Sequence, residues 1–162
     1  LLKALAVNLM KIAHDLRMMN SGPKGGLGEI MLEPLQLGST IMPGKINPVV
    51  PEMVMQVAIK VIANDTAITM AAAHGEFELN AFMPLIADSL LESLELLSAA
   101  TELFRTKCIS TLQPNIERCR ELLELSYAFA TAYTPELGYD KVTEIIDESA
   151  GNTEMAKKLL EK

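Results

Sequence analysis

The residues whose types suggest chemistry gather in one glycine-rich stretch, 21–47, and at the helix start that follows it. The stretch holds Gly22, Gly25, Gly26, Gly28, Gly38 and Gly44, with Pro23, Pro34 and Pro43. Connections this long inside a compact domain are generally functional or disordered. The apolar Leu27, Ile30, Met31, Leu35, Leu37, Ile41 and Met42 predict a loop that partly packs down. By type alone, Ser39 is a loop hydroxyl, Lys45 a solvated ammonium, and Asn47 an N-cap ahead of Pro48 at the first helical position. Glu52 suits the first turn, where a carboxylate favours the helix dipole. The glycines invite a phosphate-cradle reading. It fails, because no strand precedes them and no Gly-Lys-Ser/Thr follows.

Elsewhere the chemistry is sparse. Cys108 and Cys119 stand eleven apart with no CxxC and no histidine cluster, which excludes a local zinc or iron–sulfur motif. Reduced thiols in a cytoplasmic protein account for them most simply. His14 reads as a helix-face residue and His74 as a helix-end residue. The methionines read as packing filler rather than ligands.

The elements that must position the loop are helices. Leu2, Leu5, Leu9, Ile12, Leu16 and Met19 make one apolar stripe over residues 1–20, with Leu1, Ala6, Met10 and Ala13 adding apolar surface beside it. A helix apolar on more than one side belongs inside a bundle. Ser21-Gly22-Pro23 ends it, with Gly22 as the expected C-cap. A second helix runs from Pro48 to about Ala73 on Val50, Val54, Val57, Val61 and Ile68. Asn64 and Asp65 interrupt it, read as a solvated edge in preference to a buried polar pair. His74-Gly75 breaks the pattern. A third helix spans about Pro84 to Lys107, with Ile86, Leu90, Leu94, Leu97 and Phe104 as its stripe.

After Cys108 the segments shorten and turn signals crowd in. Short helices are predicted near 115–125, 126–133, 139–149 and 153–161, with Asn115, Asp140 and Thr153 or their neighbours as caps. The fold class is all-α: long antiparallel helices of a central bundle over 1–107, then a small helical C-terminal domain over 108–162. Some 50 residues would be marginal alone, so that domain is expected to lean on the bundle.

Of the 162 residues 49% are hydrophobic but only 4% aromatic, with no Trp, so the core is built from Leu, Ile, Val, Met and Ala. That composition favours helices. The net charge of −7 argues against nucleic acid or an anionic membrane as partner. No apolar run reaches the length of a membrane span. The chain opens directly in helical periodicity with no signal peptide, as though cut from a longer protein.

The segment 38–48 resembles the signature of the fumarase/aspartase superfamily: Gly-Ser-Ser, one residue, Met-Pro, one residue, Lys, one residue, Asn-Pro. It matches at Gly38, Ser39, Met42, Pro43, Lys45, Asn47 and Pro48, and departs at Thr40, where the family has a second Ser. Ser21 to Lys24, Gly28 to Ile30, Asn64-Asp65, Gly75 to Asn80, Pro114-Asn115 and Gly138-Tyr139 also resemble family segments, so the likeness covers essentially the whole chain. It implies a lyase that breaks a C–N or C–O bond beta to a carboxylate and releases fumarate. It implies Ser39 as the general base, and Thr40, Lys45 and Asn47 as substrate-binding residues. The helix N-terminus at Pro48 would favour the anion. Glu52 matches a family position that supports the site by pairing with a histidine from elsewhere. No cofactor and no metal are implied.

Two positions select a branch. Gly44 is small, as in fumarases and aspartases. Asn47-Pro48-Val49-Val50-Pro51-Glu52 and Lys60 to Thr66 resemble aspartases, whereas Gly75 to Asn80 is nearer to class II fumarases. The resemblance therefore implies ammonia elimination from L-aspartate. The alternatives are a class II fumarase, or a silent relative serving as a structural or binding protein. The family builds each active site from three subunits of a homotetramer, so this chain alone is expected to be inactive.

Overall fold

The structure, a computed structural model, describes residues 1–162 except Pro23, Leu37, Ser39, Thr40, Ile41, Pro43 and Lys162. It is built from helices: α1 (Leu2–Met19), α2 (Val49–Ala73), α3 (Met83–Phe104), α4 (Ile116–Leu125), α5 (Thr134–Leu137), α6 (Tyr139–Glu148) and α7 (Thr153–Leu160). Helix α3 runs on as a π-helical turn, Arg105–Ile109, and a 3-10 segment spans Ala128–Tyr133. The two-residue strands β1 (Ile30–Met31) and β2 (Gln113–Pro114) form the only sheet among the described residues. The all-α expectation holds. The chain divides into two compact units, Leu1–Gln113 and Pro114–Lys162.

In the first unit α2 is the central helix and packs against both α1 and α3. Its limits follow from the sequence: Pro48 cannot continue a helix backwards, and His74-Gly75 ends it. Two buried clusters hold the three helices. Ala6, Ala58, Val61 and Leu97 form one. Ala13, Leu16, Val54, Phe104 and Cys108 form the other, at the loop end of the unit. Fully burying Val54 and Val61 contributes about 1.5–3 kcal/mol each.

The buried faces differ from the predicted stripes. On α1 they are Ala6, Ala13 and Leu16, while Leu5 and Ile12 are exposed. On α3 they are Ser89, Ser93, Leu97, Ala100 and Phe104, while Leu90 and Leu94 face outward. Small side chains let helix axes approach closely, so the helices turn their small residues inward and leave bulky ones outside. Gly22 is not the C-cap of α1; Asn20 is, in right-handed helical geometry.

Asn64 is also corrected. It is buried, and its Nδ2 donates to the Ser89 carbonyl at 3.2 Å, to Glu92 Oε2 at 2.8 Å and to Ser93 Oγ at 3.1 Å. The inward serines of α3 supply the partners that make this burial tolerable. Asp65 stays near the surface, paired with Lys3 at 3.2 Å. Lys60 adds an ion pair to Glu92 at 3.0 Å.

The α2–α3 connection is a tight turn. Glu76 and Leu79 exchange backbone hydrogen bonds, and Phe77 at its tip is fully exposed with φ +51°. Asn80 Nδ2 ties the turn back to the Ala71 carbonyl.

The second unit has its own core of Ala130, Val142, Ile145 and Leu160, with Phe129, Tyr133, Ile146 and Leu159 packed on it. Asn115 caps α4 through a bond from Arg118 N, as expected. Asn152, the neighbour of Thr153, caps α7 by accepting from Met155 N, within the expected position. Gly138 occupies the N-cap of α6, which places Asp140 inside the first turn.

Asn64 and Lys60 hold the Glu92 carboxyl below its ordinary value of 4.5, the Asn64 hydrogen bond contributing most. A carboxyl with a lowered folded value adds stability above the unfolded value and loses it as pH falls through the folded one. Glu92→Gln should therefore lower the melting temperature most at neutral pH, and the difference should shrink as pH falls below about 4.5. A difference independent of pH in paired melting curves would refute this role.

Candidate active site

The loop rises from the packed end of the first unit, and both of its stems are held. On the incoming side, Ser21 Oγ donates to the Met18 carbonyl at 2.6 Å and accepts from Leu27 N at 3.1 Å. Glu29 N donates to the Met19 carbonyl at 2.9 Å, and Leu32 N to Asn20 Oδ1 at 3.0 Å. Ile30 and Leu32 then pack on the cluster of Leu16, Val54, Phe104 and Cys108. Of the apolar residues expected to pack down, Ile30 does so, whereas Leu27, Met31, Leu35 and Met42 are exposed, and Leu37 and Ile41 lie outside the described residues.

On the outgoing side, helix α2 begins at Val49, with Pro48 at the cap position and no side-chain cap bond. Asn47 does not cap it with its side chain, contrary to expectation. The Asn47 carbonyl instead accepts from Val49 N at 2.9 Å. Glu52 N donates to the Pro48 carbonyl at 3.2 Å, and Pro51 has no N–H. Of the four amides that usually sit unpaired at a helix start, at most Val50's remains for a ligand. The expected anion site at this helix N-terminus is thereby much weakened.

The candidate residues fall unevenly on this frame. Ser39 and Thr40 lie outside the described residues. Lys45 is exposed, and its backbone N–H donates to the Met42 carbonyl at 3.2 Å. Gly44, with φ +80°, takes the third place of that turn, where a left-handed residue is required and glycine supplies it. Asn47 is half-buried, two residues before α2. An open hollow of about 550 Å³ beside the turn is lined by Pro34, Leu35, Gln36, Gly38, Gly44 and Ile46.

Glu52 sits in the first turn of α2, as the sequence indicates, and Arg17 Nε lies 3.5 Å from its Oε1. Both side chains are partly exposed, so the pair orients more than it stabilises. It borders a groove of about 660 Å³ between α1 and α2, whose polar lining includes Lys11, His14, Gln56 and the pair itself. Sequence reasoning missed Arg17. Its only signal was a basic residue in the last turn of a helix, a common feature with an ordinary explanation. His14 lines this groove as an exposed residue of α1. His74 closes on its own helix through Met70 and on the Phe82 ring.

Lys45 and Asn47 stand on the outgoing side of the glycine-rich turn, an ammonium and an amide of the kind that can engage a carboxylate, while Glu52 and Arg17 face the groove between α1 and α2. No cluster of three His, Cys, Asp or Glu that could hold a metal occurs among the described residues. Cys108 is buried within the π-helical turn, and burial pushes its thiol up, so it fills space rather than acting as a nucleophile.

Residues 1–63 match a protein-family model described as lyase. An aspartate ammonia-lyase of Pseudomonas aeruginosa is 50% identical over 145 residues, covering 90% of this chain and 31% of that enzyme. A class II fumarate hydratase of the same organism is 47% identical over 171 residues, covering 99% of this chain and 37% of that enzyme. Among solved structures, a class II fumarase from Schistosoma mansoni superposes with a TM-score of 0.89 at 36% identity, over 98% of this chain and 34% of that one. A protein described as fumarate lyase:delta crystallin from Brucella melitensis gives 0.86 at 46% identity, over 97% of this chain and 35% of its own. The chain thus spans about a third of the length of the relatives it matches.

Removing the Asn20 carboxamide tests the stem. Asn20→Ala leaves the Leu32 N–H without its acceptor and should cost roughly 1 kcal/mol in chemical denaturation. Amide exchange should accelerate at Leu32 and not at Val61. Equal exchange at Leu32 in both proteins would remove Asn20 from the account of the loop.

Proposed function

The chain belongs to the fumarase/aspartase superfamily of lyases, and from that premise we propose that it carries the active-site loop of an aspartate ammonia-lyase. The observation that carries the choice is the run Asn47-Pro48-Val49-Val50-Pro51-Glu52 at the start of α2, preceded by the small Gly44. In the whole enzyme Ser39 is the general base. It takes a proton from the carbon next to a substrate carboxylate, leaving a dianionic aci-carboxylate. The C–N bond then breaks, ammonia leaves and fumarate remains. A serine oxygen serves as base only where positive charge and N–H donors stabilise its anion away from water.

Lys45 binds a substrate carboxylate and supplies that charge, and Asn47 and Thr40 hydrogen-bond the substrate. The scarcity of uncommitted amides at the α2 start leaves most of this work to side chains. Glu52, oriented by Arg17, supports the site from behind. Protein regions outside this chain complete it, so the 162-residue chain alone has no lyase activity. The first unit is part of the central bundle of a homotetramer. The outward Leu85, Leu90, Leu91, Leu94 and Leu103 of α3, with Ile59 and Met70 of α2, support burial against further helices.

A second reading, class II fumarase, is favoured by the turn Gly75 to Asn80 and by the 47% identity that extends over 99% of the chain. Fumarate absorbance measured on the whole protein separates the two. L-Aspartate should give fumarate and L-malate should not; release from malate alone would establish the second reading. Ser39→Ala should lower kcat by roughly 10²–10⁴-fold. Silence with both substrates would favour a relative that has lost catalysis, against which the retained Ser39, Lys45 and Asn47 argue. The 162-residue chain should also self-associate at high concentration in sedimentation. A strictly monomeric profile would count against the exposed leucines as a covered face.

A further inference from the structure

The backbone of the loop passes close to itself at Gly26, near the stem beside Ser21, and again at Gly38, beside Lys45. A Cβ placed on Gly38 would lie 2.3 Å from the Lys45 carbonyl oxygen and 3.2 Å from its carbonyl carbon. Side-chain carbons do not approach backbone atoms to under 3.0 Å. Gly38 has no left-handed φ, so contact rather than conformation demands a glycine here. Lys45 is fixed from the other side by its bond to the Met42 carbonyl, in the turn that Gly44 completes.

From this contact we infer that Gly38 is a positioning residue: it lets the loop cross itself and thereby fixes the backbone from which Lys45 reaches the substrate. The inference rests on the proposed role of Lys45 in binding and deepens it. Gly26 has a like contact nearer the stem, against the Ser21 carbonyl, but no other described glycine of the loop approaches Lys45. A Cβ on Gly25 would meet no atom within 4 Å, and its φ is not left-handed; Gly44 has the φ but no neighbour. A methyl group on Gly38 would push the Lys45 carbonyl back by about 0.7 Å to reach 3.0 Å. Misplacing a positioning group by about 1 Å costs on the order of 10²-fold in rate.

The test compares Gly38→Ala with Gly25→Ala and Gly44→Ala in the whole protein, and follows the Lys45 amide by hydrogen exchange in the 162-residue chain. Gly38→Ala should lower kcat/KM for L-aspartate about 100-fold, speed exchange at Lys45 and leave the melting temperature unchanged. Gly25→Ala should match the native protein in all three. Gly44→Ala, which strains the same turn without crowding it, should move both readouts in the same direction by less. A double-mutant cycle then isolates the route. In a Lys45→Met background Gly38→Ala should cost little more, because it acts through Lys45.

Native kcat/KM in Gly38→Ala, unchanged exchange at Lys45, or full additivity with Lys45→Met would each overturn the inference. A native protein silent with both aspartate and malate would instead overturn the functional reading. In that case exchange at Lys45 still decides whether Gly38 fixes it.

Discussion

The packing of Ala13 and Leu16 against Val54, Phe104 and Cys108 sets the separation of two helix ends, and the loop hangs from both. Ile30 and Leu32 join this cluster from the incoming stem, and Val50 and Met53 from the outgoing one. A long glycine-rich segment would otherwise have a large conformational entropy. Its freedom is cut at the stem by apolar burial and by hydrogen bonds from Leu27, Glu29 and Leu32, and again further out where Gly38 meets Lys45. The described part of the segment is thus held at several points along its length.

Electrostatics are arranged the same way, through side chains set on firm backbone. The start of α2 has little to offer an anion, because Asn47, Pro48 and Pro51 consume or remove its amides. Positive charge on or beside the loop comes from Lys24 and Lys45, and from Lys107, which lines a hollow with Glu33 and Pro48, while Arg17 is taken up by Glu52. In a protein of net charge −7, these local cations matter more than the overall field.

Much of this was legible in the linear sequence. The end of α2 at Ala73 follows from His74-Gly75, and the cap of α4 from Asn115. The superfamily was legible because its signature is short and contiguous: seven matches fall within eleven residues. What failed needed a third dimension. Periodicity shows that α1 and α3 are apolar on several sides but does not say which side is inside. Asn64 looked like a surface interruption until Ser89 and Ser93 were placed opposite it. Asn47 has the composition of a cap but lies one residue too early, because the helix starts at Val49. Arg17 and Glu52 are separated by the whole loop, so no local pattern connects them.

The inward serines of α3 have a consequence for how sequence variation in this protein should be weighed. Ser89 and Ser93 are 5% and 2% exposed, while their neighbours Leu90 and Leu94 are 41% and 46% exposed. Within this unit the usual ranking of substitutions by hydropathy is inverted on that helix. Replacing Ser93 by leucine gains apolar character, yet it overfills the seam with α2 and removes one of the three acceptors of the Asn64 carboxamide. Replacing Leu94 by serine loses apolar character and leaves the seam intact. Volume, not polarity, is the quantity that a comparison of natural variants should track along this face.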